Sequence, residues 1–120
     1  MDDFRMIGTR TISEEAFLRL DRATIATPSG QTVTRVVVAH PGAVAVVPLI
    51  GDDVLLFEQH RAPLGRDLLE IPAGKLDVPG EDRTEAARRE LEEEIGYSPG
   101  KLEHLTDLYT TPGFCDEVIT

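Results

Sequence analysis

The sequence predicts an α+β fold, one helix among many short strands, and three observations predict it. Between Asp82 and Ile95 apolar residues recur every four positions, at Ala87, Leu91 and Ile95 with Ala86 beside them, which is the spacing of one buried helix face. Residues 31–39 and 43–57 are rich in Val, Ile, Leu and Phe and are separated by Pro-Gly and Gly-Asp turn signals, as short strands are. With 120 residues, 41% of them hydrophobic and 28% charged, the chain is of single-domain size, enough for a core but small for a complete enzyme.

In chain order, Thr9–Ala39 reads as a first unit. Phe17, Leu18, Leu20 and Ile25 lie in a stretch that pairs with 31–39, where Val33, Val36, Val37 and Val38 give strong strand propensity, and Pro28-Ser29-Gly30 is the turn between them. Ser13-Glu14-Glu15-Ala16 reads equally well as the start of a helical turn. His40-Pro41-Gly42 breaks the chain. Ala43–Ile50 is a nearly continuous apolar run, and Gly51-Asp52-Asp53 turns it into Val54–Phe57, which predicts two central strands of a hairpin. Gln59-His60-Arg61 closes the second strand, 62–67 is a loop, and Leu68–Ile71 is a short strand.

The helix is predicted over Arg83–Ile95. Asp82 is its N-cap, because a carboxylate accepts from an orphan amide of the first turn and suits the positive end of the helix dipole. Glu85, three residues on, makes a pair like a capping box, and Gly96 suits the left-handed residue that closes a helix. Leu102, Leu105 and Leu108 place a strand over Lys101–Tyr109, although they do not alternate cleanly.

The chemistry is concentrated on that helix. Glu90, Glu93 and Glu94 are three and four residues apart, so their carboxylates project from nearly one side and repel by a few tenths of a kcal/mol per pair. They also approach the negative end of the dipole, so a cation belongs there. Arg88 and Arg89 supply part of that charge. The rest suits a hard divalent cation such as magnesium, which takes a few carboxylates and substrate phosphates. The bland alternative is a solvated acidic face, but that leaves the positions of Gly74 and Arg89 unexplained.

The formal net charge of −10 argues against a generic binder of nucleic-acid backbone. For a phosphate-binding enzyme, bound divalent cations would reverse the local field. Cys115 is the single cysteine, so no intramolecular disulfide forms and a reducing cytoplasm is the default. No segment approaches the roughly 20 apolar residues of a membrane span, and the N-terminus lacks the layout of a signal peptide. His40 and His104 have no metal-ligand spacing with any Cys or His, and His60 reads as a half-exposed strand residue.

The stretch Glu70–Tyr97, EIPAGKLDVPGEDRTEAARRELEEEIGY, resembles the signature box of the Nudix hydrolases, which cleave nucleoside diphosphates linked to another moiety. The resemblance rests on Gly74, Glu81, Arg89, Glu90, Leu91, Glu93, Glu94, Gly96 and Tyr97. The usual box has five residues between its first Gly and first Glu, whereas Lys75–Gly80 are six; the extra residue falls in a turn-prone segment that can bulge without disturbing the helix. The run FEQHRAPLGRDLLEIPAG, from Phe57 to Gly74, is similar to that of ADP-ribose pyrophosphatases. Pro112, fifteen positions beyond Tyr97, resembles a mark of that subfamily.

The resemblance implies a Nudix fold, an α/β-type sandwich with a mixed sheet and the metal-binding helix on one face. Residues 1–40 would be an N-terminal strand unit that builds a domain-swapped homodimer, the alternative being an independent edge hairpin, and 41–120 the catalytic domain. The implied reaction is divalent-metal-dependent hydrolysis of ADP-ribose to AMP and ribose 5-phosphate. Mg2+, or Mn2+, would be held by the Ala73 carbonyl, Glu90, Glu94 and Glu93, with Glu90, Glu93, Glu94 and Arg89 forming the catalytic set. Arg61 would lie near the substrate phosphates, although a surface ion pair with Asp67 or Glu58 is the ordinary alternative. Glu117, with Pro112 and Gly113, would bind the terminal ribose, while Glu70 and Glu81 would orient Arg89.

Two other functions stay open: another sugar-nucleotide pyrophosphatase, such as one acting on GDP-mannose, and a Nudix-like binding module without turnover. Neither nucleic acid nor membrane is an expected partner. The chain stops at Val118-Ile119-Thr120, inside what reads as the start of a strand. A Nudix fold continues with further strands, a loop carrying a catalytic glutamate and a last helix, so the expectation is a domain truncated at its C-terminus.

Overall fold

The computed structural model describes residues 3–120, and the chain divides into two compact units. The first ends at Gly42 and takes in Leu108–Val118; the second comprises Ala43–Asp107 with Ile119–Thr120.

The first unit is built on an antiparallel sheet of three strands in the order β1 (Arg5–Glu15), β2 (Leu18–Ala26) and β3 (Thr32–Ala39). The β2–β3 hairpin is in continuous register from Arg19 opposite Ala39 to Ala26 opposite Thr32. Its turn is the expected Pro28-Ser29-Gly30, closed by the Gly30 amide on the Thr27 carbonyl at 2.9 Å. Ser13–Glu15 continues β1 and does not form a helical turn. Pairing with β2 gives its backbone a ladder of partners, whereas one isolated helical turn fixes several dihedrals for a single bond. Ala16, at φ 52°, then reverses the chain into β2. Asp21 and Ala23, two apart and so on one face of β2, are buried. The Asp21 carboxylate is satisfied there by Thr11 Oγ1 and Arg19 Nε, each donating at 3.0 Å.

In the second unit β4 (Ala43–Ala45) pairs antiparallel with β9 (Ala73–Lys75) and carries Ile119 in parallel register at Ala43. Between them come the small hairpin of β5 (Leu49–Ile50) with β6 (Asp53–Val54) and the hairpin of β7 (Phe57–Arg61) with β8 (Arg66–Glu70). Helix α1 (Arg83–Ile95) packs on β4 and β9. Ala43, Val44, Val46, Pro72, Ala86 and Leu91 form the core under it. Ala87 and Ile95, expected on the same face, are only half-buried at its edges.

Two strand expectations are corrected. The apolar run Ala43–Ile50 is not one strand: Pro48 brings no amide to a ladder, and β4 stops at Ala45. Leu49, Ile50, Val54 and Leu56 are exposed, so the β5–β6 hairpin is peripheral and not central. Lys101–Tyr109 is not a strand either; only β10 (Leu108–Tyr109) is. Leucines three apart cannot share one face of a strand, and Leu105 is 74% exposed.

Back in the first unit, β10 leads into the segment 110–117, which folds onto the end of β3, and Val118 opens β11 (Val118–Ile119). The Phe114 and Cys115 amides both turn back to the Thr111 carbonyl. The Val38 amide then bonds the Phe114 carbonyl at 2.7 Å, and the Asp116 amide bonds the Val38 carbonyl at 3.2 Å.

The helix ends are those expected. Asp82 accepts the Glu85 amide at 2.8 Å, and Gly96, at φ 73°, returns its amide to the Glu92 carbonyl. Asp82→Ala should therefore lower stability by about 1 kcal/mol, the usual worth of an N-cap. Urea unfolding measures it, and an unchanged midpoint would show that the cap is not holding the helix.

Candidate active site on the helix α1

Pairing of β9 with β4 brings the backbone of Ala73-Gly74 beneath α1. A Cβ placed on Gly74 would fall 2.0 Å from Cδ and 2.1 Å from Oε1 of Glu90, so this glycine is the space in which the Glu90 carboxylate sits. One turn on, Glu94 Oε2 accepts the Ala73 amide at 3.1 Å. The two carboxylates expected to act together thus lodge on two consecutive backbone units. Burial raises the pKa of Glu94, and repulsion from Glu90 adds to it, while the Ala73 amide acts the other way.

Arg89 engages three carboxylates, Glu90 among them. Its Nε and Nη2 donate to Glu81 at 3.0 and 2.9 Å, and its Nη1 donates to Glu90 at 2.9 Å and Glu93 at 3.3 Å. A guanidinium fork matches a carboxylate in this way, and the Glu81 bonds hold Arg89 strongly protonated. The additional residue before Glu81 is absorbed by a turn in which the Glu81 amide bonds the Val78 carbonyl and Gly80 has φ 78°. Glu81 still reaches Arg89.

Glu70 does not orient Arg89. It pairs with Arg61, whose Nε donates to Glu70 Oε2 at 2.6 Å and whose Nη2 donates to Oε1. Both residues lie on the same face of the β7–β8 hairpin, where the long arginine spans the distance between them. Neither Asp67 nor Glu58 is the partner of Arg61; Asp67 pairs with the exposed His60 at 2.7 Å. Bonding to Arg61 lowers the Glu70 pKa, and Arg61 also acts electrostatically on Glu94.

These donors fit a hard cation. They are carboxylate and carbonyl oxygens, and one is seated in a cradle that any side chain at position 74 would fill. Among the described residues no three His, Cys, Asp or Glu side chains converge into a ready-made metal site. Like charges separate unless a cation joins them, and here Arg89 takes up Glu90 and Glu93 while the Ala73 amide takes Glu94.

The residues expected at the ribose belong to the first unit. Pro112 and Gly113 form the turn after Thr111. Glu117 Oε2 accepts from Thr110 Oγ1 at 2.6 Å, and its Oε1 lies 3.4 Å from His40 Nε2. Sequence reasoning gave His40 no role. The contact joins residues far apart in the chain, and no spacing rule could have found it.

Residues 39–119 match the family model of the NUDIX domain. The chain is 47% identical over 93 residues to an ADP-ribose pyrophosphatase of Bacillus subtilis, covering 77% of this chain and 50% of that protein. It is 42% identical over 118 residues to an ADP-ribose pyrophosphatase of Mycobacterium tuberculosis, covering 98% of this chain and 57% of that protein. It is also 43% identical over 116 residues to a methanol dehydrogenase activator of Bacillus methanolicus, covering 96% and 62%. A crystal structure of an ADP compounds hydrolase superposes with a TM-score of 0.78 at 25% identity, over 97% of this chain and 63% of that one.

The chain belongs to the Nudix family, and its fold is the Nudix fold. It spans 50 to 62% of the length of these three relatives. Among the described residues no helix is long and apolar enough to cross a membrane.

Proposed function

We propose that the protein is a divalent-metal-dependent pyrophosphohydrolase that cleaves ADP-ribose to AMP and ribose 5-phosphate. The observation that carries this reading is the lodging of Glu90 and Glu94 on the Ala73-Gly74 backbone, beside an Arg89 held by Glu81. The names of the two pyrophosphatase relatives support the substrate. Glu90, Glu94 and the Ala73 carbonyl would hold Mg2+ or Mn2+, with Glu93 at their margin. The chemistry supplied by such a cation is Lewis-acid polarisation of the pyrophosphate and activation of water. Arg89 holds Glu90 in orientation through the Nη1 contact at 2.9 Å. Arg61, already turned toward acidic neighbours, offers a guanidinium to a phosphate, and Glu117 offers its carboxylate to ribose hydroxyls.

The same reading includes a homodimer. Strand β1 is the edge of its sheet and exposes Met6, Ile7 and Ile12, and the last two are the extra residues at its two bulges. The lone thiol, Cys115, suits the reducing cytoplasm.

Incubation with ADP-ribose or GDP-mannose, with and without magnesium, followed by chromatography of the products, tests the activity. The expected result is magnesium-dependent release of AMP from ADP-ribose. Cleavage of GDP-mannose alone would replace the substrate, and binding without cleavage would replace the enzyme by a binding module. Light scattering on the same sample tests the dimer.

A further inference from the structure

We propose that His40 is a positioning residue for Glu117: with Thr110, it holds that carboxylate in the orientation that meets the ribose hydroxyls, an inference that rests on the proposed function above. Glu117 is only partly accessible, with 23% of its side chain exposed, and His40 beside it is 10% exposed. Both oxygens of the carboxylate have a polar neighbour, one as a hydrogen bond and one as a longer contact. Thr110 Oγ1 donates to Oε2 at 2.6 Å, and His40 Nε2 stands 3.4 Å from Oε1. A carboxylate oxygen has two acceptor sites, so Oε2 with its one donor keeps a site for a ligand hydroxyl, and Oε1, with His40 at contact distance, keeps room for another.

The histidine is itself fixed. Its Nδ1 accepts the Gly42 amide at 3.0 Å, so in the neutral ring the proton is on Nε2, the nitrogen beside Glu117. Gly42 has φ 90°, a conformation that a side chain would strain, and this turn presents its amide to the ring. The His40 backbone amide donates to Asp116 Oδ1 at 2.8 Å, and the Phe17 ring meets the imidazole edge-on at 5.4 Å between centroids. Backbone, ring edge and Nδ1 are each held, which leaves Nε2 for the carboxylate. A histidine kept only for packing would need no particular tautomer.

The test has two arms. In ligand-free protein, 15N NMR of the imidazoles should show His40 as the Nε2–H tautomer, the signal being identified by its loss in His40→Gln. The opposite tautomer would overturn the proposal.

In ADP-ribose binding and hydrolysis, His40→Phe keeps the packing but removes the donor. It should raise Kd and KM several-fold, up to about tenfold, with little change in kcat, as expected when a polar contact to the ligand-binding carboxylate is lost. His40→Gln, which retains an N–H donor, should recover most of that loss, and no recovery would assign the histidine to packing. If the wild-type protein does not bind ADP-ribose, the functional reading fails. If it binds and His40→Phe binds equally well, the role of His40 alone fails. Should His40→Phe not fold, Thr110→Val tests the grip on the same carboxylate from its other oxygen, and unchanged affinity there would refute it.

Discussion

Glu90→Gln and Glu94→Gln should each lower metal-dependent turnover by about 100- to 10,000-fold, the several kcal/mol of charge stabilisation that a metal site supplies, while folding stays intact. Each substitution removes one charge from a set that repels itself and leaves an amide oxygen of the same shape. Stability should even rise at neutral pH for Glu94→Gln. Burial raises the pKa of Glu94 above its ordinary 4.5, so the group favours the folded state only when protonated. That contribution is full below 4.5 and is lost as pH rises through the raised folded value, a loss that glutamine does not suffer. Glu70 runs the other way, since Arg61 lowers its pKa and its contribution fades on acidification. Glu94 must therefore be read as the difference between wild type and variant. Thermal melts without metal from pH 4 to 8, with rates measured in magnesium, decide the matter. Variants that unfold, or that keep wild-type rates, would remove these residues from the metal site.

Gly74→Ala should cost activity about 100-fold, the penalty for displacing a reacting group by an ångström or so. The added methyl would lie 2.0 Å from Glu90 Cδ, and because the clash is with the far end of a flexible side chain, the carboxylate moves and the backbone stays. The movement breaks the 2.9 Å contact with Arg89, a partly exposed pair whose loss costs little stability. Melting should therefore change by less than about 1 kcal/mol, helped by the smaller entropy of an unfolded alanine chain. The apparent magnesium affinity should fall along with the rate. Wild-type kinetics in Gly74→Ala would mean that the Glu90 carboxylate does not work from the cradle.

Local rules made much of this protein legible. The ends of α1 follow from Asp82 and Gly96, whose preferences depend only on neighbouring backbone. The β2–β3 hairpin follows from Pro28-Ser29-Gly30 between β-branched runs. The shared side of Glu90 and Glu94 follows from helical geometry alone, and Glu81 with Arg89 followed from the box. The misread segments were those where local pattern competes with long-range pairing. The apolar run over Ala43–Ile50 contains its own breaker in Pro48, and the leucines of Lys101–Tyr109 have no strand period, so burial and partners decided each.

The sequence by itself therefore determined the helix, its caps, the Pro28-Ser29-Gly30 turn and which side chains share a helix face, because those depend on contacts within a few residues. Tertiary structure alone decided that Glu70 serves Arg61 and not Arg89. It also decided that Gly74 is the seat of Glu90, and that His40 comes to Glu117 at 3.4 Å. Each of these joins groups brought together by strand pairing or helix packing, and a carboxylate takes whichever cation or amide the fold sets within about 3 Å of it.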